Sequence, residues 1–123
     1  MKTTTVNLLP TTSYGTPSGN YDGSSLDFSG DPEKAADYYG GFGGLQTIAF
    51  YFNEFQGTIH IEATLESEPT DAPEQWFLVS KSEHNDSSIT ENFSRNITGN
   101  FTWIRARVTD FTQGTITKIT MSY

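Results

Sequence analysis

The side chains that could carry catalytic chemistry in this 123-residue chain are few and far apart. There is no cysteine, and the two histidines are His60 and His84. Their positions match neither a metal-binding spacing nor a recognisable Ser-His-Asp pattern. His60 falls on the polar face of a predicted strand and His84 in a predicted polar loop. The sequence therefore offers no positive feature for an enzyme, and we expect a non-catalytic protein with no cofactor.

Carboxylates are the next residues to consider, as ligands of a metal ion, since Ca²⁺ takes six to eight hard oxygen ligands. One group of four lies on a short segment that also contains Pro69 and Pro73: Glu66, Glu68, Asp71 and Glu74. The spacing does not match an EF-hand loop, and the prolines favour a rigid, solvated loop. We therefore predict no metal site.

Aromatic residues in the first third of the chain are the strongest candidates for a binding surface. They lie in a segment that cannot bury all of them by itself, and they are Tyr14, Tyr21, Tyr38, Tyr39 and Phe42. Aromatic rings among Gly, Ser and Asn are typical of protein contact surfaces, and stacking rings also suit glycans. These rings must pack on their own domain, on another subunit or on a sugar, and we predict partner binding.

Net charge narrows the class of partner. The chain carries a formal charge of −8, which disfavours a polyanion such as a nucleic acid. No segment approaches the roughly 20 apolar residues of a membrane span. These features indicate other proteins as partners.

The elements that would position the aromatic set divide the chain near residue 44. Residues 1–44 are rich in Gly, Ser, Thr, Pro and Asp and predict an extended N-terminal arm. Val6–Leu9 and, more weakly, Ser25–Phe28 could pair as strands there. Asp31 and Pro32 predict the start of a short helical turn that Gly40 would end.

From residue 45 onward, apolar residues recur with the period of two that is typical of strands. One inward set is Ile59, Ile61 and Ala63, and another is Ile104, Ala106 and Val108. From Leu45 to Phe52 both alternating sets are fairly apolar, which predicts a central strand covered on both faces. Residues 81–88 predict a polar loop, and the shift of parity between Ile116 and Ile119 predicts a β-bulge. About seven short strands predict an all-β, jelly-roll-like antiparallel β-sandwich over 45–123. Trp103, Arg105 and Arg107 share one face, where we favour a role in shaping the domain over ligand binding.

Several strings also carry a resemblance: Lys34–Gly40 leading into Gly44–Thr47, Gly57–Leu65, Gln75–Phe77, Ile97–Val108 and Gly114–Ile119. Together they resemble small virion structural proteins of tailed phages, especially those of cyanobacterial myophages, over residues 34–123. The resemblance implies a sandwich fold, location in the virion as a capsid-decoration, neck or tail component, and a homo-oligomer in contact with other virion proteins. It brings no catalytic residue. The alternative is a carbohydrate-binding module for host adhesion.

Overall fold

The computed structural model describes residues 4–38 and 44–123, and these form one antiparallel sheet. Its strands are β1 (Thr5–Leu9), β2 (Thr12–Ser13), β3 (Phe28–Ser29), β4 (Glu33–Lys34), β5 (Leu45–Thr64), β6 (Phe77–Ile89), β7 (Asn92–Thr98) and β8 (Trp103–Ser122). A 3₁₀ turn covers Pro73–Gln75. The strand order is β1-β8-β5-β6, with β2, β3 and β4 also on β8 and β7 also on β5. The predicted all-β, sandwich-like fold is confirmed.

Strands β5 and β8 have 20 residues each and pair from Thr47 opposite Ser122 to Thr64 opposite Trp103. A straight strand of that length would span about 66 Å, whereas a compact domain of this size has a radius of gyration of about 14 Å. Both strands must therefore bend, and their register shifts near residues 53–58 of β5. At the bend Glu54 and Asp110 both have φ 54.

Gly114 shows why the bend needs glycine. Its φ is +86, and a Cβ there would overlap the carbonyl oxygen of Glu54. The left-handed backbone and the close approach of the two strands both exclude a side chain at this position. The bend therefore requires glycine at position 114.

Alternate side chains of both long strands fill a single core. In one half these are Ile48, Phe50, Phe52, Ile116, Ile119 and Met121, and in the other Ile59, Ile61, Ala63, Ile104, Ala106 and Val108. All are at most 3% exposed. Since both halves belong to one cluster, the bent sheet folds over itself, which gives the sandwich-like body. The predicted period-two sets therefore identify the core.

Two details of the long strands refine the predictions. Tyr51 pairs with Lys118 and Phe52 with Ile116, so Thr117 is the extra residue of the predicted bulge, which is confirmed. The prediction that β5 is a central strand covered on both faces over residues 45–52 holds in part, because Thr47, Ala49 and Tyr51 are partly buried whereas Leu45 is 50% exposed. One face of this half packs in the core, and the other is only partly covered.

The front segment is not separate from the body. Its described residues run along the free edge of β8, with Thr5 opposite Ser122, Phe28 opposite Val108 and Glu33 opposite Ile104. Leu8 is 1% exposed in the shared core. Residues 4–38 therefore extend the sheet of their own chain, although long stretches between their short strands remain irregular.

The helical turn expected from Asp31 is wrong in its described part. Glu33–Lys34 form β4, and the chain then turns, with the Tyr38 N–H donating to the Ala35 carbonyl at 3.0 Å. Two turns of helix are marginal alone, so pairing with β8 outweighs the local preference. Gly40, where the turn was expected to end, lies outside the described residues.

The polar stretch 81–88, expected as a loop, belongs to strand β6 instead. His84 pairs with Gly57 and Lys81 with His60. Polar side chains cover this strand because most of its length is exposed at the sheet edge. The backbone pairing with β5, rather than any apolar pattern, keeps it extended.

Candidate polar-aromatic cleft and apolar edge

The predicted aromatic set is divided by the structure. Tyr21 is 1% exposed and packs on Phe28 and Phe111, with ring centroids 4.9 and 5.2 Å away. The Tyr21 hydroxyl accepts the Gly15 N–H at 3.0 Å. Tyr21 is thus a core residue of its own domain, which corrects the expectation that its ring faces a partner.

The other members of the set have different positions. Tyr14 is 50% exposed and meets Phe111 edge-on. Tyr38 is partly buried beside Trp103, with centroids 5.3 Å apart in an edge-to-face arrangement. Tyr39 and Phe42 lie outside the described residues. Of the three described members, Tyr38 is the one that lines a cleft.

This cleft lies on the outer face of the first half of β8. Ile104, Ala106 and Val108 point into the core, so Trp103, Arg105 and Arg107 point away from it and line the cleft. The front segment forms one wall and the loop around residues 67–73 the other. Pro32 lines two adjoining cavities, and we call them together the β8 cleft.

The first cavity, of about 560 Å³, is polar and contains both arginines. Glu62 lies opposite Arg105 in the pairing of β5 with β8. One Glu62 oxygen accepts the Arg105 Nε–H at 2.9 Å, and the other accepts the Arg107 Nε–H at 3.1 Å. A single carboxylate therefore holds two guanidinium groups, which leaves their terminal amino groups towards the cavity.

The three side chains of this network are not equally exposed. The side chains of Arg105 and Glu62 are 7% and 12% exposed, whereas that of Arg107 is 37% exposed. Arg105 also lies over the Trp76 ring, 4.3 Å from its centroid, and its Nη1 is 3.5 Å from Asp71. Arg105 is thus fixed from three sides, and Arg107 is the more accessible cation.

Acceptors face these donors from the front segment. The Asn20 Nδ2 donates to the Ser29 carbonyl and to Asp31 Oδ1, both at 2.9 Å. These bonds orient the Asp31 carboxylate and leave the Asn20 amide oxygen as a further acceptor. The first cavity therefore combines positioned donors with positioned acceptors.

The second cavity, of about 520 Å³, is lined by Trp103, Tyr38, Lys34, Glu68 and Pro69, among others. The Trp103 indole N–H donates to the Ser67 carbonyl at 3.2 Å, and the Lys34 ammonium lies 4.6 Å from the Tyr38 ring centroid. The Trp103 ring is therefore positioned by the loop that contains Ser67, and the Tyr38 ring lies against Lys34 of β4. The cleft is consequently aromatic at one end and polar at the other.

A second surface feature is apolar and lies at the edge of β6. Leu65, Phe77 and Leu78 are 58%, 50% and 56% exposed, and we call them the apolar edge. Among described strands, β6 pairs with β5 alone. Arg95 donates to the Lys81 carbonyl further along, so the start of β6 is the part left open.

Histidine environments differ from the simple surface positions expected. Burial, followed by Arg107 and Lys81, lowers the pKa of His60, and its Nε2 lies 3.1 Å from the Thr109 hydroxyl. Burial, followed by Arg95, lowers the pKa of His84. Both rings therefore favour the neutral form.

The exposed carboxylate of Asp22 is bound by the two serines that follow it closely. The Ser25 hydroxyl and the N–H groups of Ser24 and Ser25 lower the pKa of Asp22 to about 2. Across residues 4–38 and 44–123, no three His, Cys, Asp or Glu side chains are grouped to hold a metal ion. Over the same residues, no helix has the length and apolar character to cross a membrane.

Sequence reasoning placed Trp103, Arg105 and Arg107 on one face but missed the residues that complete the site. Glu62 carried a signal, because it alternates with the inward residues Ile61 and Ala63. Asn20 and Asp31 carried none, since their position depends on the pairing of the front segment. No protein-family profile, curated protein or solved structure matches this chain.

Proposed function

We propose that this chain is a structural protein of a tailed-phage virion that acts through contacts with other virion proteins and not as an enzyme. The observation that supports the proposal is the apolar edge. Three large apolar side chains stand at least half exposed where β6 begins, with Phe77 and Leu78 on opposite faces of the strand. A segment that adds to this strand edge could contact apolar side chains on both faces.

The backbone at this edge adds to the side chains. Phe77 and Leu78 lie opposite Ala63 and Glu62 of β5, so the other side of β6 is open there. An open strand edge can accept a further strand through main-chain hydrogen bonds, while neighbouring side chains give specificity. A partner that adds an extended segment would satisfy both the backbone and the apolar side chains.

Charge around the apolar edge indicates the chemistry of that partner. Glu66, Glu68 and Glu74 are exposed on the loop that joins β5 to β6. An acidic rim attracts a basic segment and disfavours like-charged surfaces. The partner is therefore a virion protein with basic residues, and repetition on the particle would strengthen each contact through avidity.

Mass spectrometry of purified particles gives the first test, since absence of the chain from particles would contradict the proposal. The second test compares F77S/L78S with L26S. Leu26 is 50% exposed but lies in the front segment, so it is a control for a lost surface leucine.

F77S/L78S removes two large apolar contacts, so its incorporation into particles should be weaker by about tenfold or more. Incorporation of L26S should be unchanged, and circular dichroism should show that both variants are folded. Equal incorporation of F77S/L78S and the unmodified chain would remove the apolar edge from the mechanism.

A further inference from the structure

We propose that the β8 cleft binds a neutral saccharide, with hydroxyl groups in the polar cavity and one sugar face on Trp103 and Tyr38. This inference does not depend on a virion role, because it concerns a different surface. Each cavity, at about 560 and 520 Å³, lies within the range of roughly 300–1,000 Å³ that small ligands occupy. The cleft is therefore large enough for a sugar ring at each end.

The polar cavity matches the hydrogen-bonding needs of vicinal hydroxyls, each of which donates and accepts. In the described part of the chain, the terminal amino groups of Arg107 make no hydrogen bond, while its Nε is held by Glu62. Asp31 and Asp71 provide acceptors on the two walls. A hydroxyl pair could thus meet a positioned donor and a positioned acceptor without moving the backbone.

Preorganisation distinguishes this site from an ordinary group of surface charges. The Arg105 side chain is 7% exposed and cannot turn away from the cavity, because Glu62 and the Trp76 ring hold it. A group that is fixed before binding loses little conformational entropy on binding. The same bonds that stabilise the outer face therefore prepare it for a ligand.

The balance of charges selects a neutral ligand. The polar cavity and its supporting network contain two cations, Arg105 and Arg107, and three anions, Glu62, Asp31 and Asp71. The whole chain carries −8. A phosphate or another polyanion gains little in such surroundings, whereas uncharged hydroxyls can use both signs.

The aromatic cavity matches the apolar face that a pyranose ring presents through its C–H groups. The Trp103 indole is fixed through its N–H on the Ser67 carbonyl, and Tyr38 stands edge-on to it. Aromatic side chains offer a large rigid contact area that loses little conformational freedom. A ligand with one apolar face and a hydroxylated edge therefore fits both ends of the cleft.

The test is a nuclear magnetic resonance titration of the ¹⁵N-labelled full chain. The probes are D-glucose, D-galactose, D-mannose, L-rhamnose, N-acetyl-D-glucosamine and lactose, with inorganic phosphate and a trilysine peptide for comparison. At least one sugar should move the Trp103 indole and Arg107 Nε signals saturably, with a Kd of about 1 mM. No saturable shift with any of the sugars, or saturable shifts outside the cleft alone, would overturn the proposal.

Two substitutions of exposed aspartates separate the cleft from general charge effects. D31N removes an acceptor from the polar cavity and should weaken sugar binding about tenfold, the equivalent of one good hydrogen bond. D86N makes the same chemical change on exposed β6, away from the cleft residues, and should leave the affinity unchanged. Equal affinities for both variants, or binding of phosphate or trilysine in place of sugars, would contradict the assignment.

Discussion

Replacement of Glu62 by glutamine should be among the most damaging single changes on the outer face. Glu62 accepts one hydrogen bond from Arg105 and one from Arg107, each through a different oxygen. Glutamine offers one acceptor oxygen, so its NH₂ group must face one of the two guanidinium groups. The substitution keeps the shape of the side chain but leaves the buried Arg105 with only its longer contact to the exposed Asp71 carboxylate.

The expected loss follows from the exposure of each partner. Arg105, with a side chain 7% exposed, loses a charge-assisted bond worth about 2 kcal/mol, and its remaining contact to Asp71 is 3.5 Å long. Arg107, 37% exposed, can be rehydrated and contributes about 1 kcal/mol. Since the glutamine oxygen can keep one of the two bonds in neutral form, the sum of about 3 kcal/mol is the upper limit of the loss, and it equals the lower end of what breaking a buried ion pair costs. At about 4 °C per kcal/mol, the melting temperature should fall by up to about 12 °C.

Urea unfolding and thermal melting of E62Q beside E83Q would measure this difference. Glu83 forms an ion pair with Lys81 of the same strand, β6, at 2.7 Å, but the two side chains are 56% and 44% exposed. Exposed pairs contribute little, so E83Q should melt close to the unmodified chain. If the two variants lost the same stability, burial of the Glu62 network would not be what makes it important.

Two further predictions concern the bend and the histidines. G114A should cost about 3 kcal/mol or more in urea unfolding, because its Cβ would meet the Glu54 carbonyl oxygen at φ +86. G15A, at φ +87 with open space around it, should cost about 1 kcal/mol, and equal losses would contradict the steric explanation. Burial lowers the folded-state pKa of His60 and His84 below 6.5, so the unfolded chain binds more protons there. Stability should therefore fall as the pH drops through about 6.5, and the double variant H60Q/H84Q should have a flatter urea-midpoint profile between about pH 7.5 and 5.5.

The sequence predicts which faces of the long strands are buried, because their side chains report on burial, but it divides these strands into shorter ones. Ile59, Ile61 and Ala63 recur every second residue, and all are at most 1% exposed. The parity shift that predicted a bulge is also visible in side chains, since Ile116 and Ile119 are both fully buried. Where one face of a strand packs in a core, the alternation of apolar residues is a direct record of it.

The front segment could not be predicted in the same way, because backbone bonds position most of it. Ser13 and Ser29 pair with Thr115 and Arg107 of β8, and no apolar period marks such short polar strands. Tyr21 is buried because Phe28 and Phe111 enclose it, and Phe111 is 90 positions away in the chain. The aromatic content of the segment was visible, but the surface that covers each ring was not.

Only part of the cleft could be predicted from the sequence, for a related reason. Alternation alone assigns Trp103, Arg105 and Arg107 to one face of β8. The partner Glu62 depends on the register of β5 against β8, and two register shifts at the bend separate this half from the other. A shift by one residue would send Glu62 into the core, so the site exists only in the observed register.

The front segment belongs to the fold, and this changes which surface is open to partners. The Gly30 N–H donates to the Ala106 carbonyl, and a Cβ at Gly30 would overlap the Leu8 backbone, so the segment closes the sheet tightly on this side. Its removal would uncover the edge of β8 and expose Phe111 and other core residues to water. A truncated chain would therefore lose its fold before it could reveal any loss of assembly. Within residues 4–38 and 44–123, the apolar edge at Phe77 and the cleft over Trp103 remain open while the sheet is intact, so substitutions there test the two proposals without dismantling the fold.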